Sequence, residues 1–107
     1  MLLRPLLAIL IPTAWAAGDA GPSFNRDIRP ILSDRCFACH GPDSANRKAG
    51  LRLDQEQAAK SANRAGKTPI VPGKPQESLA FLRIISDNKA LRMPPAYAGH
   101  DKLPAAD

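Results

Sequence analysis

The stretch Cys36-Phe37-Ala38-Cys39-His40 decides how the rest of the chain is interpreted. Two thiols three positions apart, followed directly by an imidazole, form the C-x-x-C-H signature of covalent haem c attachment. Residues i and i+3 share one face of a helical turn, so Cys36 and Cys39 can each form a thioether with one haem vinyl group. His40 then falls beside the ring, where a neutral imidazole can serve as proximal ligand to iron. The motif predicts one covalent haem c.

Three other uses of these residues compete with the haem interpretation. A zinc site would need His100 as its fourth ligand, and the adjacent residues Cys39 and His40 are strained as ligands to one ion. A thioredoxin-type dithiol would follow a buried strand, whereas an amphipathic helix pattern precedes Cys36. A disulfide across two intervening residues would close almost no loop and stabilise little. These uses define a haem-free alternative, an interaction module with a disulfide or zinc.

The amino-terminal residues have the pattern of a secretory signal peptide over residues 1–16. Arg4 precedes an apolar run, and Ala14 and Ala16 are the small residues expected before a signal-peptidase site. The run is too short to span a bilayer, so a retained membrane anchor is the less favoured alternative. Because haem c is attached outside the cytoplasm, we expect an exported, periplasmic or extracytoplasmic protein with no stable membrane span after cleavage.

The length of 107 residues allows one small domain. After the signal peptide we expect a flexible leader over residues 17–22 and a domain over residues 23–107. Only three phenylalanines and one tyrosine are available for its core, and eleven prolines in the chain favour loops. So small a chain usually needs a staple or a cofactor, and a covalent porphyrin would supply the missing core.

The formal net charge of +5 is dispersed along the chain. Basic and acidic residues alternate, without the aromatic residues that stack on bases, so we expect no nucleic acid as a partner. Arg47, Lys48, Arg52 and Arg92 could pair with haem propionates, but loop charges are usually solvated. A solvated surface explains the charge best, with docking to an acidic partner second.

Apolar spacing predicts an amphipathic helix that leads directly into the cysteines. Phe24, Ile28 and Ile31 recur at helical intervals within residues 24–35. Pro30 is tolerated if Asp27 is the N-cap, since proline then falls in the first turn. A helix that begins near Phe24 would have to kink at the proline.

Further helices are predicted at three places. Asp54 and Gln57 resemble a capping box that opens a short helix through about Ser61. Pro75 suits the start of a longer helix, buried over more than half its circumference, that ends near residues 87–88. Leu103 and Pro104 have the pattern of a helix start at the end of the chain.

Met93 is the candidate distal ligand to the iron. It is the only methionine after the signal, and Pro94 and Pro95 hold it on a stiff extended segment. A weak thioether ligand requires such preorganisation, whereas the alternative role is core packing. His100 competes for the distal position, and bis-histidine ligation would lower the reduction potential. A loop histidine is, however, more often simply exposed.

Five sequence motifs, the cysteine motif among them, are informative together. They are Phe24-Asn25-Arg26-Asp27-Ile28-Arg29-Pro30-Ile31-Leu32, Cys36-Phe37-Ala38-Cys39-His40-Gly41-Pro42, Lys48-Ala49-Gly50-Leu51-Arg52-Leu53-Asp54, Ile70-Val71-Pro72-Gly73-Lys74-Pro75 and Arg92-Met93-Pro94-Pro95. Together they closely resemble the planctomycete-type cytochrome c domain. The resemblance implies an all-α, class I cytochrome c-like fold, a small helical domain with long loops around a covalent haem. It implies Cys36 and Cys39 as thioether anchors, His40 as proximal ligand and Met93 as distal ligand.

The resemblance also implies a module of a larger exported protein. Such domains usually stand at the amino end of a much longer chain. The fold of the family ends with a final helix, and only the start of such a helix is found here, at Leu103. We therefore expect the domain over residues 23–107 to be incomplete at its carboxyl end.

Electron transfer through a single haem is the expected function. The partner would be a redox protein or a downstream domain of the same full-length chain. With both axial positions filled, the iron has no open site for a substrate, so we expect no enzyme activity. The alternative that keeps the haem is a sensor or a peroxidase-like site with a weak or open distal position.

Overall fold

The computed structural model describes residues 21–107. The expected signal peptide over residues 1–16 lies outside them, as does most of the leader. Of the described residues 32% are helical, and none forms a strand. The fold is therefore of a non-β class. No helix in this part of the chain is long and apolar enough to cross a membrane.

A helical segment leads into the cysteines, as predicted. It begins as a π-helical turn, Phe24–Ile28, and continues as helix α1, Arg29–Arg35. The Arg29 N–H donates to the Phe24 carbonyl, five residues earlier. This wider turn brings Pro30 to the amino end of the α-helical part, where its missing N–H costs no hydrogen bond. The π-helical turn thus accommodates the proline within a helix that begins at Phe24.

Asp27 does not cap α1, so this part of the prediction is wrong. Ile28 occupies the N-cap position of α1, without a side-chain hydrogen bond. The Asp27 carboxylate instead accepts the Ser23 N–H at 2.8 Å, while the Asp27 N–H donates to the Ser23 carbonyl at 2.8 Å. A hydrogen bond from Arg26 lowers the pKa of Asp27. The carboxylate therefore satisfies a free N–H one turn earlier, at the true start of the helical segment.

Helix α2 is shorter than predicted and starts later. It spans Glu56–Ala59, with Gln55 at its N-cap. Asp54 does not cap it, because the Asp54 carboxylate accepts two hydrogen bonds from the Arg52 guanidinium, at 3.1 and 2.7 Å. A carboxylate in a bidentate charged pair is held away from the free N–H groups of a helix. The predicted capping box is therefore wrong.

The third predicted helix is divided in two by Ser78. A 3₁₀ turn spans Pro75–Glu77 and helix α3 spans Leu79–Ile84. Ser78 between them is extended and only 5% exposed. Its hydroxyl accepts the Val71 N–H at 2.8 Å and donates to the Lys74 carbonyl at 2.9 Å. These bonds satisfy buried main-chain groups of the preceding loop, and they end the first turn before α3 begins.

Backbone hydrogen bonds between helix ends and loops, rather than the packing of helix against helix, hold these elements together. Within residues 21–107 the three α-helices do not pack against one another. The Ile70 N–H donates to the Ala59 carbonyl at 2.9 Å, and the Leu79 N–H donates to the Thr68 carbonyl at 3.0 Å. Between positions 21 and 107 the buried apolar side chains are Ala59, at 4% exposure, and the prolines Pro69 and Pro94. This part of the chain therefore has the small core that its composition predicts.

The segment after α3 consists of loops and turns. A 3₁₀ turn spans Ala96–Ala98. Lys102 Nζ lies 2.6 Å from Asp87 Oδ1, so an ion pair returns the last residues to the end of α3. At Pro104 the chain makes a single turn, closed by the Asp107 N–H at 3.0 Å from the Pro104 carbonyl. The predicted helix start at this proline is a turn.

Candidate haem-binding site

Cys36, Cys39 and His40 lie in one helical turn at the end of α1. The Cys39 N–H donates to the Cys36 carbonyl at 3.2 Å, and the His40 N–H donates to the same carbonyl at 2.8 Å. Bonds of this spacing bring the two cysteine side chains to the same side of the turn. Both cysteines are half-buried free thiols. The structure therefore presents the three motif residues together.

Gly41 allows the chain to turn back directly after the motif. It is buried, and a Cβ atom at this position would lie 2.1 Å from the Phe37 carbonyl oxygen. A backbone oxygen cannot move away without moving the motif itself. A residue without a side chain is therefore required next to His40.

Replacing Gly41 with alanine should lower the free energy of unfolding by about 1–3 kcal/mol, as overpacking does, and should displace His40. Urea unfolding measures the first effect, and the NMR signals of the His40 ring report the second. Gly66→Ala is the control, since Gly66 has a φ of +74° and nothing within 4 Å of its Cβ position. It should lose stability through backbone strain while the His40 signals stay in place. Unchanged His40 signals in Gly41→Ala would contradict the prediction.

The loop that follows the motif orients the His40 ring. His40 Nδ1 lies 3.2 Å from the Lys48 carbonyl oxygen, so Nδ1 carries the proton and donates it, and Nε2 is left as the free ring nitrogen. Burial is the main cause that lowers the pKa of His40, which keeps the half-buried ring neutral. A neutral imidazole with a free Nε2 and a hydrogen-bonded Nδ1 is the form that binds metals.

Two backbone hydrogen bonds hold the same loop against the motif. The Lys48 N–H donates to the Cys39 carbonyl at 2.7 Å, and the Leu53 N–H donates to the His40 carbonyl at 2.8 Å. Lys48 therefore contacts the motif through both of its main-chain groups. The loop is fixed relative to the ring that it orients.

Arg47 closes this loop from within, a role that the sequence does not reveal. Its Nε lies 3.0 Å from the Gly41 carbonyl oxygen and its Nη2 lies 3.2 Å from the Pro42 carbonyl oxygen. The side chain is thus engaged by the main chain rather than solvated, as loop charges usually are. Every residue has a main-chain carbonyl, so the residue types in the sequence do not indicate which carbonyls Arg47 binds.

Met93 lies in a segment that is bonded back to α3. The Met93 N–H donates to the Arg83 carbonyl at 3.1 Å, and Arg83 Nη1 donates to the Leu91 carbonyl at 3.1 Å. Met93 is half-buried, the Met93-Pro94 peptide bond is cis and Pro94 is buried. The segment is therefore anchored by Arg83 as well as by its prolines.

The charge of Arg83 is one cause of the lowered pKa of His40. It contributes less than burial and less than the opposing effect of the Lys48 carbonyl.

The competing sites receive less support from the described residues. Within residues 21–107 no group of three or more His, Cys, Asp or Glu side chains could hold a metal ion. Cys36 and Cys39 form no disulfide. His100 is half-buried, although a loop histidine is more often exposed.

One comparison with known proteins finds a match. A family model described as planctomycete cytochrome C matches residues 36–96, a range that covers more than half of the chain and includes all four predicted haem-binding residues. No curated protein and no solved structure matches the chain. A cytochrome c domain of this kind binds haem c and serves haem-based electron transfer. The chain belongs to the planctomycete cytochrome C family.

Proposed function

We propose that residues 23–107 form an all-α domain that carries one covalently attached haem c and transfers one electron at a time. The observation that supports this most strongly is the turn of Cys36, Cys39 and His40, with Nδ1 of His40 bonded to the Lys48 carbonyl. It combines two free thiols with an imidazole whose metal-binding nitrogen is available.

The residues present fit haem c in number and in chemistry. Cys36 and Cys39 supply one thiol for each vinyl group, while His40 and Met93 supply an imidazole and a thioether for the two axial positions of the iron. Apolar side chains of this part of the chain, such as Leu82 at 39% exposure and Ile85 at 45%, remain partly uncovered. A flat apolar ring attached to the chain would add the contact surface that the small core lacks.

Attachment requires both cysteines as thiols. In each thioether the sulfur bonds to the inner carbon of a vinyl group and the thiol hydrogen moves to the outer carbon, so no oxidant or reductant is consumed. Burial raises the pKa of Cys36, against the smaller effect of Arg35, and the sulfur stays protonated at neutral pH. We propose that both thioethers form before any disulfide closes.

Other residues of the chain would orient the iron ligands and set the reduction potential. When bound, the haem iron gains and loses a single electron. The Lys48 carbonyl keeps the proton of His40 on Nδ1, so Nε2 would be the nitrogen that binds the iron, and Met93 as the second ligand would favour a higher reduction potential than a second histidine. Because the chain supplies both axial ligands, we propose that it has no enzyme activity of its own.

We also propose that the protein is exported and that residues 1–16 are its signal peptide. Covalent haem c attachment outside the cytoplasm and the signal pattern support this. Its electrons would go to and come from a redox protein, or a further domain of a longer chain. The family resemblance supports the second arrangement, in which this domain is one module of a larger exported protein.

Coexpression of the full chain with a cytochrome c maturation system tests the proposal. We expect the mass of one added haem per chain, the pyridine haemochrome spectrum of haem c and reversible one-electron reduction. A haem-free product would contradict the proposal as a whole. Carbon monoxide binding to the reduced protein, without a thioether-to-iron band in the oxidised one, would instead support a sensor or a peroxidase-like site.

A further inference from the structure

Arg83, in the last turn of α3, holds the Met93 segment at two points. Its carbonyl accepts the Met93 N–H at 3.1 Å, and its guanidinium Nη1 donates to the Leu91 carbonyl at 3.1 Å. The two contacts lie on either side of Arg92. Main-chain and side-chain groups of one residue therefore clamp three consecutive positions to the end of the helix.

Other contacts explain only part of the order of this segment. The Asn88 carbonyl accepts the N–H groups of Leu91 and Arg92, both at 2.9 Å, and so forms the turn that precedes Met93. The Leu91 side chain is 48% exposed, so packing contributes little to its position. The bond from Arg83 is what joins this turn to α3.

We propose that Arg83 is a positioning residue that keeps the Met93 sulfur in place as distal ligand and raises the reduction potential through its positive charge. This inference rests on the proposed function. A thioether is a weak ligand, so the strength of the bond depends on how firmly the chain holds the sulfur. The proposal assigns that task to the clamp over residues 91–93.

The charge of Arg83 acts in the same direction as the clamp. Reduction adds an electron to the iron, and a nearby positive charge favours the reduced state. The side chain is half-buried, and its guanidinium Nη1 lies 3.1 Å from the Leu91 carbonyl oxygen, two residues from Met93. Water therefore screens this charge less than it screens those on the exposed surface.

Arg83→Gln tests both effects, with Arg29→Gln as a control. Arg29 is exposed at the start of α1, and its side chain has no hydrogen bond or ion pair within the described chain. Each variant removes one positive charge. Imidazole, added to the oxidised holoprotein, competes with Met93 for the iron, and its apparent Kd is read from the Soret band.

We expect Arg83→Gln to bind imidazole about tenfold more tightly than the unsubstituted protein, as the loss of one hydrogen bond allows. Its reduction potential should fall by about 59 mV, which is tenfold in a one-electron equilibrium. Arg29→Gln should change the imidazole Kd, and the one-electron equilibrium constant that the potential measures, by less than about threefold each. Its charge is screened by water.

Arg83→Lys separates the effect of the clamp from the effect of the charge. It also tests the proposal if Arg83→Gln yields no holoprotein. Lysine keeps the charge but lacks the planar fork of arginine. We expect its potential to stay near that of the unsubstituted protein while imidazole binds more tightly than to Arg29→Lys. Arg83 variants that match their Arg29 controls in both measurements would overturn the inference alone. An unsubstituted protein without covalent haem, or without a thioether-to-iron band, would overturn the proposed function together with it.

Discussion

Replacing Met93 with alanine is expected to remove the thioether-to-iron charge-transfer band of the oxidised holoprotein and to lower its reduction potential. The fall should exceed about 59 mV, which is tenfold in a one-electron equilibrium, because a thioether ligand favours reduced iron. The reduced variant should also bind carbon monoxide, since alanine leaves the distal position to a weakly held water. Visible spectroscopy and spectroelectrochemistry measure these changes.

Two substitutions in the same part of the chain serve as controls for Met93→Ala. Leu91→Ala shortens an exposed side chain two residues away and leaves its main-chain carbonyl for Arg83. His100→Ala removes the competing ligand. Both should keep the band and a potential close to that of the unsubstituted protein. If His100→Ala loses its low-spin spectrum while Met93→Ala keeps it, His100 is the distal ligand and the assignment of Met93 is wrong.

The second large effect is expected when both cysteines are replaced by serine. A hydroxyl group does not form the thioether, so Cys36→Ser/Cys39→Ser should release all of its haem on extraction with acidified organic solvent. Each single variant should retain haem through the remaining thioether. Its pyridine haemochrome band should lie at longer wavelength, because one vinyl group stays conjugated with the ring.

Stability should change together with attachment. The described chain has no fully buried large side chain, so the double variant should lose its cooperative thermal unfolding when the haem is removed. Ala38→Ser, at the exposed position between the two cysteines, is the control and should keep covalent haem. Haem that stays on the double variant after extraction would show that the attachment does not use these thiols.

The sequence predicts the helix before the cysteines well and its interior poorly. The apolar spacing of Phe24, Ile28 and Ile31 correctly indicates a helix that runs into Cys36. The sequence allows two starts, one with Asp27 as N-cap, which puts Pro30 in the first turn, and one near Phe24 with a kink at the proline. A π-helical turn accommodates Pro30 inside a helix that begins at Phe24, and apolar spacing alone does not predict it.

The departures from prediction at α2 and at the third predicted helix have a common physical cause. Asp54 has the residue type of an N-cap and Pro75 does begin a helical turn, but hydrogen bonds to other groups override both predictions. Arg52 binds the Asp54 carboxylate, and the buried hydroxyl of Ser78 ends the turn that Pro75 begins. Local propensity amounts to a few tenths of a kcal/mol up to about 1 kcal/mol, so a single charged or buried hydrogen bond can outweigh it.

The candidate site shows the same division between what the sequence reveals and what it does not. The types and spacing of Cys36, Cys39, His40 and Met93 can be read directly. The residues that hold them, Arg47 and Arg83 among others, act on main-chain carbonyls, and any residue carries such an acceptor. Their roles depend on where the chain passes in three dimensions, which no spacing rule contains.

The use of the Lys48 carbonyl as the acceptor for His40 has a consequence for how this loop can vary. Every amino acid offers that oxygen, so exchanging the side chain at position 48 leaves the acceptor in place. The distance that the chain covers between His40 and position 48, in contrast, depends on the number of residues from Gly41 to Arg47. Position 48 can therefore vary while the length of the loop is held constant, and an insertion there would uncouple the ring from its acceptor without touching any residue of the motif.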